Sequence, residues 1–106
     1  MNIQIIHAIF VVIENESIIV KFDINPVTLG HLLIIPKKNI PKVSDAEDID
    51  QKVLGHLMLV AGKVAKQIGV QDSFRLVVNN GKGAQQTVFH LHIHLLSGRE
   101  FKWPPG

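Results

Sequence analysis

The feature that most constrains the fold is an alternating run near the C-terminus, His90-Leu91-His92-Ile93-His94-Leu95-Leu96. Successive side chains of a β-strand point to opposite faces, so the three histidines share one face and the apolar residues between them share the other. The apolar face needs a covering layer, which a helix can supply. The histidine face has to meet solvent or a cleft, because buried imidazoles need hydrogen-bond partners. The run therefore predicts a strand covered on one side and open on the other.

A long amphipathic helix is predicted in the middle of the chain. Ser44, followed three residues later by Glu47, has the pattern of a capping box, and Gly69 fits a C-terminal cap. Gly55 and Gly62 inside the helix lower its intrinsic stability, so we interpret them as points where another helix, a strand or a partner subunit approaches closely. Apolar residues recur every three or four positions and form one helical face: Ile49, Val53, Leu57, Val60, Val64 and Ile68.

Runs rich in β-branched residues lie on both sides of this helix. Residues 9–13 and 18–22 predict a hairpin, residues 32–35 a short buried strand, and residues 74–78 and 88–96 the last two strands. Strands, one helix and again strands predict an α+β fold, with an antiparallel sheet of about five strands covered by one long helix. The 106 residues contain no internal repeat, so we expect a single domain over residues 1–106.

Composition excludes several classes of function. The chain has no cysteine, which excludes disulfides, thiolate catalysis and sulfur-ligated zinc. Its formal net charge of +2, from 11 basic and 9 acidic residues, gives no basic stripe that would bind a nucleic acid polymer. The apolar start has no basic residues ahead of it and is followed by Glu14 and Glu16, so it is interpreted as strand. We therefore expect a cytoplasmic protein that does not engage a membrane.

The spacing of the histidines leaves two chemistries open. A His-x-His pair with a third ligand can hold zinc, so His90, His92 and His94 are candidate ligands. The same imidazoles can also act as nucleophile and proton carriers, since histidine titrates near neutral pH. The preceding loop, residues 79–87, offers amides, a hydroxyl and backbone N–H groups that suit a phosphate. No carboxylate lies near the histidines in sequence, which slightly favours phosphate chemistry over a structural metal.

The pattern His-x-His-x-His followed by two apolar residues resembles the signature of the histidine-triad family, and further matches extend over residues 14–106. The tail resembles the Hint branch of that family. The matching segments are Asp23-Ile24-Asn25-Pro26, Gly30-His31, Ile35-Pro36-Lys37-Lys38, Gly55-His56-Leu57-Met58, Val77-Val78-Asn79, Gln86-Thr87-Val88-Phe89, Gly98-Arg99 and Trp103-Pro104-Pro105-Gly106.

This resemblance implies a homodimer that hydrolyses adenosine or guanosine 5′-phosphoramidates without a cofactor or a metal. His92 would attack the α-phosphorus and carry the nucleotidyl group until water removes it. His94 and His31 would hydrogen-bond around the nucleophile and the phosphate, and His90 would orient the nucleophile. Thr87 would lie near the leaving amine.

The resemblance also implies a binding site for a purine nucleoside monophosphate or phosphoramidate. Asp23 would hold the ribose hydroxyls, Ile24 would lie beside the base, and Trp103 would reach the partner subunit's site. The full implied binding set is Asp23, Ile24, Asn79, Gln85, Gln86, Thr87, His92, His94 and Trp103.

The sequence departs from the family pattern at two places near this site. Lys21 and Phe22 precede Asp23, where the family tends to place an aromatic and then a different residue, and Gln85 stands where the family favours glycine. Two alternatives to the phosphoramidase therefore stay open. One is a nucleotide-binding regulatory module with little catalysis, and the other is a metal-binding domain built on His90, His92 and His94.

Overall fold

The computed structural model describes residues 3–6, 11–23, 26–28 and 30–106, with side chains described from residue 15 onward. Within these ranges it has one α-helix, α1 (Gln51–Gln67), and one sheet. Short 3-10 turns at Val43–Asp45 and Asp48–Asp50 precede the helix. The strands are β1 (Ile3–Ile6), β2 (Val11–Glu14), β3 (Ile18–Phe22), β4 (Gly30–Pro36), β5 (Arg75–Val77) and β6 (Ile93–Ser97).

The sheet has the strand order β1-β2-β3-β4-β6-β5, and all neighbouring strands are antiparallel. The predicted α+β fold with one antiparallel sheet and one helix is confirmed. The sheet has six described strands rather than about five, because the apolar start forms both β1 and β2. The predicted hairpin is present as β2 and β3, and Asn15 closes it by accepting hydrogen bonds from the backbone N–H groups of Ser17 and Ile18.

Helix α1 covers one face of the sheet and packs on β4. Leu57, Val60 and Val64 are fully buried, as the helical periodicity predicts. They meet buried side chains of β3, β4 and β6, so the core lies between the helix and the sheet. The core residues are Ile18, Val20, Leu32, Ile34, Ile40, Leu57, Val60, Ala61, Val64, Ala65, Leu91, Ile93 and Leu95.

The start of the helix differs from the prediction. The reciprocal capping hydrogen bonds link Glu47 and Asp50, not Ser44 and Glu47, and Ser44 instead donates its backbone N–H to the Asn80 side chain. The Asp50 carboxylate also accepts a hydrogen bond from Lys38 Nζ. Hydrogen bonding from the Glu47 backbone, and then from Lys38, lowers the pKa of Asp50.

The other end of the helix follows the prediction. Gly69 has a φ of +78°, the left-handed conformation that glycine adopts without a steric penalty. The backbone N–H groups of Gly69 and Val70 then donate to carbonyls of the last helical turn. By contrast, among the described residues nothing outside the helix's own neighbouring backbone lies within 4 Å of a Cβ built on Gly55 or Gly62, so these residues do not make the predicted close approach.

The last two strands are shorter than predicted, with Arg75–Val77 in place of residues 74–78 and Ile93–Ser97 in place of residues 88–96. In the described ranges, the structure has no helix of the length and apolarity needed to span a bilayer.

Candidate active site

The three histidines lie on the sheet face opposite helix α1. Leu91, Ile93 and Leu95 are buried in the core, while His90, His92 and His94 are half-buried on the other face. The alternation predicted from sequence is thus present, although it begins in the segment before β6. β6 lies between β4 and β5, and His94 is paired with Leu33 on one side and with Val77 on the other.

Backbone carbonyls fix the protons of two of these imidazoles. His92 Nδ1 lies 2.7 Å from the carbonyl oxygen of His90, and His90 Nε2 lies 2.6 Å from the carbonyl oxygen of Pro36. A carbonyl can only accept, so each of these ring nitrogens carries the proton and donates it. The neutral His92 ring therefore has its lone pair on Nε2. That nitrogen has the electron pair that a nucleophile needs.

A second chain of hydrogen bonds joins β4 to β6. The backbone N–H of Val27 donates to His31 Nδ1 at 3.1 Å, so the proton of the neutral His31 ring lies on Nε2. That nitrogen is 2.8 Å from His94 Nδ1 and 3.2 Å from the Asp23 carboxylate. His31 therefore donates to His94, whose own proton is left on Nε2. His92 and His94 thus have opposite roles at Nε2, one as electron-pair donor and the other as hydrogen-bond donor.

Burial keeps this second chain neutral. Desolvation lowers the pKa of His31, and the nearby Asp23 carboxylate opposes that shift. Desolvation also lowers the pKa of His94, and the neighbouring His92 and His31 rings lower it further. The 3.2 Å contact between His31 Nε2 and Asp23 therefore joins a carboxylate to a ring whose charged form is disfavoured by burial, while the single Nε2 proton of that ring is donated to His94.

Two clefts open on the histidine face, one reaching β3 and the other reaching β5. The β3-side cleft, of about 280 Å³, is lined by Lys21, Leu33, Ile35, Val88, His90 and His92. The β5-side cleft, of about 200 Å³, is lined by Val27, His31, Val77, Asn79, His94 and Leu96. The β3-side cleft therefore has mainly aliphatic walls beside the His92 ring, and the β5-side cleft contains the polar groups around His94.

Residues 7–101 match the model of the HIT domain family. The chain belongs to the HIT family. A 14 kDa zinc-binding protein of Zea mays is 45% identical to this HIT protein over 98 residues, which are 91% of this chain and 77% of the relative.

Solved structures of the HIT family share the fold. A HIT family hydrolase from Legionella pneumophila superposes with a TM-score of 0.89 at 42% identity, covering 92% of this chain and 88% of its own. A histidine triad nucleotide-binding protein from Candida albicans superposes with a TM-score of 0.75 at 28% identity, covering 92% and 75%. The finer resemblance to the Hint branch stays a prediction.

The loop before the triad is organised differently from the phosphate cradle that the sequence suggests. The backbone N–H groups of Ala84 and Gln86 donate to the Gly81 carbonyl, and that of Gln85 donates to the Lys82 carbonyl. The Gly81 N–H is bonded to the Gln86 side chain. These four N–H groups are consumed inside the loop and do not form an anion site.

The side chains of the same loop divide into two groups. Gln86 is only 2% exposed, and its amide also donates to the carbonyls of Pro41 and Val88, so it holds the loop together. Gln85 is exposed and has a φ of +69°, a conformation that favours glycine. Asn79 lines the β5-side cleft with His31 and His94, and Thr87 is exposed at the surface. The nucleotide contacts predicted for these residues stay predictions.

Two other predicted contacts lie away from the histidines or outside the described residues. Trp103 is 83% exposed, so the described part of its own chain leaves it available to another molecule. The tail around it is held by Phe101, whose ring contacts the guanidinium groups of both Arg75 and Arg99. Ile24 lies outside the described residues, so its predicted place beside the base is not addressed.

The donor atoms best placed for a metal include only one histidine of the triad, His94. His90 and His92 each have one ring nitrogen on a carbonyl, whereas donor atoms of Asp23, His31 and His94 all lie within 4.8 Å of one another. Two histidines and a carboxylate are a donor set that zinc accepts. The HIT protein could thus hold a cation at this group, and it would have to displace the His31 proton to do so.

Sequence reasoning assigned no role to three participants in the site, although it noted Lys21 as a departure from the family pattern. Lys21 lines the β3-side cleft, the Val27 N–H fixes the His31 proton, and the Pro36 carbonyl fixes the His90 proton. Lys21 had a usable signal, because it is two residues before Asp23 on a strand and so shares its face. The other two act through the backbone, which leaves no trace in side-chain identity.

Proposed function

We propose that this HIT protein hydrolyses nucleoside 5′-phosphoramidates, with His92 as the nucleophile. The single observation that carries the proposal is the hydrogen bond from His92 Nδ1 to the His90 carbonyl, which leaves the electron pair on Nε2 of a half-buried ring beside a cleft. The HIT hydrolase and nucleotide-binding neighbours support the same class of reaction.

The first step forms a bond between His92 Nε2 and the α-phosphorus and breaks the phosphorus–nitrogen bond. The amine that leaves takes up one proton, for which the Thr87 hydroxyl is the proposed carrier. In the second step, the oxygen of a water molecule replaces His92 on phosphorus and one proton is released. The net products are a nucleoside monophosphate and a free amine. The covalent intermediate divides one difficult displacement into two easier ones.

The hydrogen-bond chain supplies the electrostatic part of the mechanism. His94 Nε2–H is a neutral donor fixed by His31, and a donor held in advance can stabilise the charge that develops on the phosphoryl oxygens. Asn79, from the same cleft, is the second proposed donor. No step requires a metal, and the absence of any cofactor requirement is part of the proposal.

The remaining features of the proposal come from the family resemblance. Asp23 is proposed to hold the ribose hydroxyls and Ile24 to lie beside the base. We propose that two subunits form a homodimer, in which the exposed Trp103 of each subunit reaches the other's site. We also propose a cytoplasmic location. A truncated chain ending at residue 100 would test the contribution of the tail to turnover.

The test is turnover of adenosine and guanosine 5′-phosphoramidates that carry a fluorescent amine, with and without a chelator. We expect wild-type turnover to survive the chelator. His92→Ala should lose turnover by several orders of magnitude, with little change in its affinity for a nucleoside monophosphate. His56→Ala, which removes a half-buried imidazole from helix α1, on the side of the sheet opposite the triad, is the matched control and should keep its activity.

His92→Gly with added imidazole tests whether the His92 ring is the nucleophile. The free imidazole supplies the missing ring and should restore part of the turnover. Tight nucleotide binding by the wild type without turnover would contradict the enzyme and support a regulatory nucleotide-binding module. A loss of activity with chelator that zinc restores would contradict the metal-free mechanism.

A metal-binding function is the second candidate, and it rests on the Asp23, His31 and His94 group and on the name of the Zea mays relative. Zinc content measured after dialysis tests it, with His31→Asn compared against His90→Asn. If zinc binds at this group, His31→Asn loses the metal and His90→Asn keeps it. Loss of zinc in His90→Asn with retention in His31→Asn would instead point to the triad.

A further inference from the structure

We propose that Lys21 makes this site selective for 6-oxopurine nucleotides, those of guanine and hypoxanthine, over adenine nucleotides. The inference rests on the proposed function, since it concerns which nucleoside the same site accepts. Lys21 is half-buried on β3, on the histidine face of the sheet, and it lines the β3-side cleft together with His92. A ligand that enters this cleft therefore has to present hydrogen-bond acceptors to the Lys21 ammonium.

The β3-side cleft is the better place for a nucleobase. Leu33, Ile35 and Val88 give it aliphatic walls on which a flat ring can pack, and pockets for small molecules are mostly apolar with few polar groups. Its volume of about 280 Å³ suits one base better than a whole nucleotide. The β5-side cleft instead carries the imidazoles and the Asn79 amide, which suit a phosphoryl group or the leaving amine.

The strand register sets the distance between Lys21 and the triad histidine His94. Lys21 pairs with Leu33, and Leu33 pairs with His94, so all three lie on one line across the sheet. Lys21 and His94 are then separated by two strand spacings, about 10 Å. A base resting above Leu33 would therefore have its outer edge near the Lys21 ammonium while its sugar and phosphate extend toward His92 and His94.

The chemistry of the ammonium decides which base is favoured. Lysine has three hydrogen-bond donors and no acceptor. Guanine and hypoxanthine present two acceptors, O6 and N7, on the edge that is free of the sugar, whereas adenine replaces O6 by an amino donor. The ammonium can therefore bind the 6-oxopurine edge at both atoms, but it faces a donor at position 6 of adenine. Among the described residues, Lys21 has no hydrogen bond or ion pair that would compete for it.

A hydrogen bond to a charged group on this partly exposed side chain corresponds to about a tenfold difference in affinity. The experiment measures dissociation constants of GMP, IMP and AMP for the full chain, and kcat/KM for the three corresponding phosphoramidates. We compare wild type with Lys21→Met, which keeps the aliphatic length, and with Lys21→Arg, which keeps the donors. Lys63→Met, an exposed charge on helix α1, is the matched control for the loss of one positive charge.

We expect the wild type and Lys63→Met to bind GMP and IMP about tenfold more tightly than AMP. Lys21→Met should weaken GMP and IMP to the level of AMP, with AMP affinity little changed, and Lys21→Arg should retain most of the preference. The inference is overturned if AMP binds as tightly as GMP to the wild type, or if the preference survives in Lys21→Met. It is also overturned if IMP behaves like AMP, since the 2-amino group would then carry the discrimination.

The two proposals fail in distinguishable ways. Binding and turnover of all three nucleotides without preference would contradict only the role of Lys21. Binding with the expected preference but no turnover would contradict the hydrolase and leave the role of Lys21 in place. If none of the three nucleotides binds, both proposals are wrong.

Discussion

Replacing Gly30 by alanine tests how tightly the strand that carries His31 is held against the strand that carries the triad. Gly30 pairs with Ser97 at the end of the β4–β6 ladder, and a Cβ at Gly30 would lie 2.1 Å from Ser97 Oγ. Comfortable carbon contacts need about 3.5 Å, so the overlap exceeds about 1 Å. Ser97 is 1% exposed, so its hydroxyl has to rotate into packed surroundings. That rotation also breaks its hydrogen bond to the Gly30 carbonyl at 3.3 Å.

The magnitude follows from three contributions to the free energy of unfolding of Gly30→Ala. Overpacking lowers this free energy by about 1–3 kcal/mol, and the lost hydrogen bond lowers it by about 0.5–1.5 kcal/mol. The smaller conformational entropy of the unfolded alanine variant raises it by about 0.4–1 kcal/mol. We expect a net loss of about 0.5–4 kcal/mol, centred near about 2 kcal/mol. For a domain of this size, each kcal/mol lowers Tm by about 4–8 °C.

The assay is urea and thermal unfolding of Gly30→Ala, Ser97→Ala and the double variant at one fixed protein concentration. Without the hydroxyl, the nearest atom to the new methyl group is the residue 97 Cβ at 3.4 Å, so the double variant should regain about 1 kcal/mol or more relative to the sum of the single changes. Gly83→Ala, where a Cβ meets nothing within 4 Å, is the control. Strictly additive losses, or a neutral Gly30→Ala, would refute this account of the strand contact.

Two further predictions concern stability away from the histidines. Gln85→Gly relieves a left-handed backbone and should stabilise the fold by up to about 1 kcal/mol, which urea unfolding would detect. Asp50→Asn removes a carboxylate whose pKa is lowered in the folded state by the Glu47 backbone and Lys38. That contribution is present above the ordinary pKa of 3.8 and disappears as the pH falls through the folded value, so urea unfolding should show a less stable variant at pH 7 and convergence with wild type in acid. An equal deficit at both pH values would contradict this origin.

Periodicity predicted the helix and its buried face but failed where the helix begins. Ile49 was assigned to the apolar face, yet it is 80% exposed. It lies in the 3-10 turn Asp48–Asp50, where three residues complete a turn instead of 3.6, so its side chain is out of phase with Leu57 and Val60. The same turn moves the capping hydrogen bonds from Ser44 to the Glu47–Asp50 pair. Local patterns could not anticipate this, because Asp50 is stabilised by Lys38 from another part of the chain.

Strand alternation was more robust than strand boundaries. His90 and Leu91 precede the first ladder residue of β6, and the Leu91 N–H donates to the Ile40 carbonyl outside the sheet. The alternation of buried and half-buried side chains nevertheless starts here, because the extended backbone, not the ladder itself, sends neighbouring side chains to opposite faces. The histidine face could therefore be predicted from sequence even though the first residue of the strand could not.

What the sequence could not provide is the difference between chemically identical rings. Alternation makes His92 and His94 equivalent, since both lie on the same face of one strand. Their roles diverge because Nδ1 of His92 meets a carbonyl, which forces the ring to donate there, whereas Nδ1 of His94 meets the proton of His31, which forces it to accept. The second contact spans 63 residues and itself depends on the Val27 N–H. The nucleophile is thus selected by the groups that surround each ring, because the three side chains of the triad are themselves identical.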